Sequence, residues 1–350
     1  MTKEIDLSGH RIGPDRPCFI IAEAGVNHNG DPGTAIRLVD AAKQAAANAV
    51  KFQTFITSKV VVPTAPMAAY QRENVGADKS QYDLLRELEL PFAEFGRLKR
   101  HADTRDILFL STADDVESVD FLDSIGVPAF KIGSGEVDNL PLLEHVARKR
   151  KPIILSTGMA TLGEVEVAVR AIEDTGNHEI VLLHCVSNYP ARAADCNLRA
   201  MDTLARSFGY GVGFSDHTEG IEVGLAAIAL GACVLEKHFT LDKRMPGPDH
   251  RVSLAPAEFA ELTRTARSVE QALGTGTKRP APAELETRKV VRRCIVTTRA
   301  IHEGEEIRAA DLRLMRCVGG LPPALLPLII GRRARCDMDA MAPVTFDALA

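Results

Sequence analysis

Residues 211–238 read GVGFSDHTEGIEVGLAAIALGACVLEKH, and their order decides the architecture. Two short apolar runs, GVGF and ACVLE, flank the segment IEVGLAAIALG, whose apolar residues recur at helical spacing. The stretch therefore reads strand, helix, strand. A helix crossing between two strands sets them parallel, with the same ends together. His217 and His238 follow their apolar runs directly, so both imidazoles emerge at one rim of the sheet. Two imidazoles at a rim are a metal-site arrangement, with positions left open for an oxyanion and a carbonyl. Two nitrogens alone are an incomplete ligand set, and hydrogen-bonded histidines at strand ends are the alternative reading.

The same order extends along the chain. The runs CFIIAEAG, NAVKFQTF, ILFLST, AFKIGSGE, PIILSTGMA and IVLLHCVSNYP precede GVGFSDHT and CVLEKHFT, which makes eight strands. Segments such as TAIRLVDAAKQAAA, LPLLEHVARK and LGEVEVAVRAIEDTG, between the strands, carry apolar residues at helical spacing. Eight such repeats over about 250 residues predict a (β/α)8 barrel. A doubly wound open sheet is the runner-up, but the first turn, EAGVNHNG, is not a GxGxxG fingerprint. In every run the polar residues come last. Glu23, Lys51, Gln53, Thr112, Lys131, Ser134, Glu136, Ser156, Ser187, Tyr189, Ser215, His217, Glu236 and His238 are thereby expected at the C-terminal face, where barrels do their chemistry.

The barrel is expected over residues 1–275, with TGTKRPAPAELETRK marking a linker at 276–289 and a small irregular β module over 290–350. At 350 residues and 45% hydrophobic, the chain has material for a large core and a satellite. Charge divides unevenly. From residue 276 onward there are 13 Lys+Arg against 9 Asp+Glu, which leaves 29 against 38 before it, a basic tail on an acidic body. The tail's arginines are not interleaved with aromatics, and the chain has no Trp and four Tyr, so nucleic acid is excluded as a partner. No run approaches the roughly 18 apolar residues of a membrane span, and MTKEIDLSGHRIG has no apolar signal-peptide core. A cytoplasmic location is expected. The seven cysteines are scattered without a CxxC pair, so reduced thiols are expected, with neither disulfides nor structural zinc.

Lys51 and Lys131, with hydroxyls from Thr112, Ser134, Ser156, Ser187 and Ser215, suit a phosphate-bearing carboxylate, because lysine supplies point charge and hydroxyls donate fixed hydrogen bonds. Glu23, Glu136 and Asp249 are candidates for proton transfer or for holding sugar hydroxyls; Glu236, next to Lys237 and His238, has pairing with a neighbour as its alternative. A metal at His217 and His238 would polarise a carbonyl, and Mn2+ suits an open N/O site better than zinc does.

IAEAGVNHNG, KFQTF, KIGSGE, ILSTGMA, LLHCVSNYP, GFSDHT and EKHFTLDKRMPGPDH together resemble the sialic acid synthase family, over essentially the whole chain. The resemblance implies a (β/α)8 barrel with a C-terminal antifreeze-like (SAF) module. It also implies condensation of phosphoenolpyruvate with an N-acylated hexosamine to a nine-carbon 2-keto sugar acid, in a homodimer whose modules cap each other's barrels. Carried over by motif, His217 and His238 hold the metal, with Mn2+ usual and Mg2+ or Co2+ as substitutes. Lys51, Thr112, Lys131, Ser134, Ser156, Ser187 and Ser215 take phosphoenolpyruvate; Glu23, Gln53, Glu136, Tyr189 and Asp249 hold or activate the amino sugar. Arg316 matches the arginine that reaches the sugar's N-acyl group from the partner subunit. Two stretches depart from the family. The loop of Arg316, Cys317, Val318, Gly319 and Gly320 lacks the usual Pro and first Gly, and LSTADD stands where STPFD is common.

N-acetylneuraminate, made from N-acetylmannosamine, is the first reading of the product. Legionaminate, made from 2,4-diacetamido-2,4,6-trideoxymannose, is the alternative, because residues 65–90 resemble both groups and not the form that takes a 6-phosphorylated sugar. Outside the family, a Schiff-base aldolase with Lys131 as nucleophile and a non-catalytic sugar- or ice-binding protein are the rivals.

Overall fold

The computed structural model describes residues 4–76 and 79–350. Residues 77–78, inside the segment that resembles the legionaminate members, and the first three residues of the N-terminal stretch lie outside the described residues. The chain divides into two compact units, Met1–Gly274 and Thr275–Ala350.

In the first unit a short hairpin, β1 (Ile5–Leu7) and β2 (His10–Ile12), precedes a closed barrel of eight parallel strands. These are β3 (Phe19–Gly25), β4 (Ala49–Thr54), β5 (Leu108–Ala113), β6 (Phe130–Ile132), β7 (Ile153–Ser156), β8 (Ile180–Cys185), β9 (Gly211–Asp216) and β10 (Val234–His238), with β10 closing on β3. The expected barrel and its eight runs are borne out. Alternation along each strand sends one set of side chains outward to the helices and the other inward. Ile20, Val50, Phe109, Phe130 and Leu235 belong to the outer core, packed with residues such as Leu38, Leu98 and Val169. The inner set, including Phe19, Ala49, Leu110, Ile154 and Val234, clusters with Ile5, Leu7 and Ile12, so the hairpin plugs the N-terminal end. The other end is left to polar groups.

Several helices start on side chains that cap free backbone amides. Asp31, Asp115, Asn139 and Thr161 do so for Pro32–Gln44, Val116–Ser124, Leu140–Ala147 and Leu162–Glu173, each cap worth about 1 kcal/mol. Between β4 and β5 the chain makes an excursion through the helices Thr57–Val60, Ala69–Val75 and Gln81–Leu88 before the barrel helix Phe92–Thr104. Met67, Leu84 and Leu88 fasten this excursion to Val26 and Phe55 at the rim.

The second unit pairs β11 (Arg293–Thr297) antiparallel with β12 (Leu312–Arg316) over a small core that includes Ile295, Ile301, Ile307 and Val344. Two sequence expectations are corrected here. The segment expected as a linker carries the helix Glu284–Val291, which buries no residue and so shows no apolar periodicity; its glutamates lead and its basic residues end it, as the helix dipole favours. Cys294 and Cys317 form a disulfide instead of standing as thiols. The antiparallel register sets Cys294 opposite Met315, two residues from Cys317, and the Cα atoms lie 5.8 Å apart, a proximity that a separation of 23 residues conceals.

Candidate active site

Strand register gathers the rim residues into a layer. His238 pairs with Glu23, and Glu23 with Lys51; Gln53 pairs with Thr112, Thr112 with Lys131, and Glu236 with Ser215. A bulge follows Glu23 at Gly25, whose φ of +51° suits glycine; a Cβ there would press within 3.1 Å of Glu23 Oε1.

Lys51 is the hub of the layer. Its Nζ lies 2.7 Å from Glu23 Oε2, donates to Thr112 Oγ1 at 2.7 Å and stands 3.9 Å from Glu236 Oε2. Glu236 Oε1 lies 3.5 Å from Lys131 Nζ and accepts from Ser215 Oγ at 3.2 Å, while Gln53 Nε2 donates to Glu23 Oε1 at 3.2 Å. Two ammoniums and two carboxylates are thus buried together. Burial pushes Glu23 up to about 7 against the pull of Lys51. Burial acts the same way on Glu236, but Lys131 and Lys51 outweigh it and hold that carboxyl below its ordinary range. Burial lowers Lys131, whereas Glu23 and Glu236 overcome burial at Lys51 and raise it.

Beside this cluster lies a cradle of donors. Ser134 Oγ accepts from Gly158 N at 2.9 Å and sits 3.1 Å from Cys185 Sγ. A Cβ added at Gly158 would collide with the side chains of Ser187, Cys185 and Ser134, so only glycine leaves this cradle open. Ser156 Oγ is buried with no hydrogen-bond partner among the described residues, a donor held ready for a ligand oxygen.

The two histidines stand together. Their ring centroids are 5.4 Å apart; His217 Nδ1 donates to Val186 O at 2.7 Å, which leaves the lone pair on Nε2, 3.4 Å from Ser215 Oγ. His238 is buried, and its Nδ1 has no partner among the described residues. Burial takes His217 down to about 4 and His238 well below the ordinary imidazole value, so both are neutral near pH 7. Among the described residues, no group of three or more His, Cys, Asp and Glu is arranged to hold a metal.

Beyond the imidazoles a cavity of about 90 Å3 is lined by Gln53, Tyr189, His238 and Asp249 from the barrel and by Tyr70 and Gln71 from the excursion. The Tyr189 ring lies 4.2 Å from that of His217 and 4.8 Å from that of Tyr70. Burial pushes Asp249 up to about 6. Asn74 Nδ2 donates to Pro248 O at 2.7 Å, tying the excursion to the loop that carries Asp249. Glu136 accepts from Asn139 Nδ2 at 2.6 Å, and burial together with the Glu136 charge lifts Asp114, of the departing LSTADD run, to about 7.

Tyr70 and Gln71 are absent from the residues singled out by sequence, and Glu236, placed at the rim with pairing to a neighbour as its alternative, is given no role there. The signal for Glu236 was present: alternation puts it on the same inward face as His238, while Lys237 turns outward to Asp216 at 2.9 Å. Arg316 lies in the second unit, at the exposed end of β12, paired in register with Arg293. A cavity of about 820 Å3 also belongs to that unit, lined by the Cys294–Cys317 bridge, by the loop after it and by residues that include Leu285, Glu286, Arg288, Lys289 and Arg292.

A closed parallel barrel whose C-terminal mouth holds buried cations, a donor cradle and paired neutral imidazoles is the architecture of a barrel enzyme for an anionic substrate. Residues 38–278 match the NeuB family and residues 292–350 match the SAF domain, and the chain belongs to the NeuB family. It is 46% identical over 332 residues, 94% of this chain and 93% of the relative, to the N,N'-diacetyllegionaminic acid synthase of Legionella pneumophila. It is 44% identical over 318 residues, 90% of this chain and 95% of the relative, to the protein of the same name from Campylobacter jejuni. A crystal structure described as N-acetylneuraminic acid synthetase from Leptospira borgpetersenii, in complex with citrate, is similar with a TM-score of 0.73 and 37% identity, over 83% of this chain and 98% of that one. The resemblance read from the motifs is borne out. Among the described residues no helix is long and apolar enough to cross a membrane.

Proposed function

We propose that this protein condenses phosphoenolpyruvate, the open-chain aldehyde of an N-acylated amino sugar and water into a nine-carbon 2-keto sugar acid, with release of phosphate. The observation that carries the reading is the pair of buried ammoniums, Lys51 and Lys131, in one layer with two neutral imidazoles. C3 of phosphoenolpyruvate attacks the aldehyde carbon, water adds at C2, and the C2–O bond breaks to free phosphate. Lys51, Lys131 and Thr112 hold the anion, with Ser134, Ser156, Ser187 and Ser215 as hydroxyl donors to it. Glu23, poised near neutrality by burial, moves the proton of the attacking water or of the new alkoxide, and Glu136 is the second candidate for that role. Gln53, Tyr189 and Asp249 orient the sugar.

The donor set at His217 and His238 fits a divalent ion, for which Mn2+ is proposed, with Mg2+ or Co2+ as substitutes: two neutral imidazoles, one carrying an unpartnered buried nitrogen, leave the remaining positions to substrate. When bound, such an ion polarises the aldehyde carbonyl. The resemblance and the SAF match support a homodimer in which Arg316 serves the barrel of a partner copy.

The Legionella and Campylobacter relatives support 2,4-diacetamido-2,4,6-trideoxymannose as the sugar. N-acetylmannosamine is the second reading, supported by the Leptospira structure. Incubation with phosphoenolpyruvate labelled with 18O at the bridging oxygen, Mn2+ and each sugar in turn tests both. Label in phosphate supports the scheme; label retained in the sugar acid, or no phosphate release with any sugar, sinks it. Borohydride trapping on Lys131 would instead favour an aldolase.

A further inference from the structure

The cavity beside His238 has walls of two origins, and the reaction fixes which part of the sugar meets each. The aldehyde carbon must lie beside phosphoenolpyruvate, at the barrel side where His238 and Gln53 stand. The carbons remote from the aldehyde then meet the excursion, which contributes Tyr70 and Gln71 from the helix Ala69–Val75 and Leu84, Leu85 and Leu88 from the helix Gln81–Leu88. Among the described residues, neither lysine nor arginine lines this cavity, and its one carboxylate is Asp249. A phosphorylated sugar terminus would be an unpaired dianion facing leucines and a buried acid. A methyl terminus would be covered by those same leucines, and an acylamino group would find a phenol and a carboxamide within the same wall.

From this, and resting on the reaction proposed above, we infer that Tyr70, Gln71 and the leucine wall are the specificity-determining residues. They select a sugar that is deoxygenated at its terminal carbon and carries a second acylamino group remote from the aldehyde. The excursion, not the barrel, chooses the sugar.

The test is the ratio of kcat/KM for 2,4-diacetamido-2,4,6-trideoxymannose to kcat/KM for N-acetylmannosamine. It is measured on the full chain and on Gln71→Glu, Tyr70→Phe and Leu85→Asn. Gln71 Oε1 accepts from Ala68 N at 3.0 Å in the helix cap, and Gln71→Glu keeps that acceptor while removing the amide donor. The half-buried Leu85 tolerates a polar group, and Leu85→Asn offers one to a terminal hydroxyl. Wild type is expected to favour the diacylated sugar. Gln71→Glu and Leu85→Asn should each lower the ratio about tenfold, and Tyr70→Phe less, as loss of one neutral hydrogen bond or exchange of one apolar contact dictates. Turnover with a ratio unmoved in all three variants overturns this inference alone. No phosphate release with either sugar overturns the underlying reaction as well.

Discussion

Glu236→Gln is the perturbation that most directly interrogates the buried charge layer. Glu236 stands 3.5 Å from Lys131 Nζ and 3.9 Å from Lys51 Nζ, and it is the one carboxylate paired with Lys131 among the described residues. At those separations each attraction is about 4 to 5 kcal/mol gross at an effective dielectric of ~20. Removal of one partner of a buried pair costs about 3 to 5 kcal/mol net, because the survivor stays buried and unpaired. For a barrel of this size that is a fall in melting temperature of roughly 6 to 12 °C. Lys131 already sits below its ordinary value through burial, so in the variant it sheds its proton more readily. The folded state then binds fewer protons than the unfolded one, stability rises with pH, and the deficit should shrink as the pH rises toward the ordinary lysine range. Phosphoenolpyruvate brings anionic oxygens to the orphaned ammonium, so it should raise the melting temperature of the variant more than that of the wild type. Differential scanning fluorimetry without added metal, with and without phosphoenolpyruvate, reads all three effects. A variant that melts within about 2 °C of wild type, or gains no more from the ligand, refutes the charge reasoning.

Gly158→Ala should raise the KM for phosphoenolpyruvate at least about tenfold at a stability cost of about 1 to 3 kcal/mol, because the new methyl collides with Ser134, Cys185 and Ser187 and fills the cradle; an unchanged KM would remove the cradle from the site. Burial lifts Asp249 to about 6, so the folded protein takes up a proton there between about pH 4 and 6, and above that range the buried carboxylate costs about 3 kcal/mol. Asp249→Asn should therefore be more stable than wild type at pH 8, by up to that amount, and level with it at pH 4. Urea melts at the two pH values decide the matter. Chelation should abolish turnover and Mn2+ restore it, whereas His217→Ala and His238→Ala should lose both the restoration and the Mn2+-induced gain in melting temperature; activity that survives chelation would remove the ion from the scheme.

Barrel strands were legible because each is buried on both faces and ends in polar residues, a pattern that needs no tertiary knowledge. His217, His238, Lys51 and Lys131 were legible for the same reason: they sit at strand ends whose register follows from closure of the barrel. Glu236 was placed at the rim but its role was obscured by its neighbours, since a carboxylate next to Lys237 and His238 looks locally paired, and only alternation reveals that Lys237 faces the other way. Tyr70 and Gln71 lie on a seven-residue helix with no buried residue, and nothing in their spacing points to a cavity. The Cys294–Cys317 bridge depends on the pairing of β11 with β12, which short runs broken by Gly and Pro do not announce.

The polypeptide leaves the barrel after Thr54 and rejoins it at Leu108, and in between it builds one side of the pocket. Every residue proposed to grip the enol phosphate belongs to the staves and their short connections. If the detour chooses the sugar as proposed, rewriting it would admit a different aldose and leave the bond-making apparatus untouched. Transplanting the detour between relatives would then be a compact route to new nonulosonic acids.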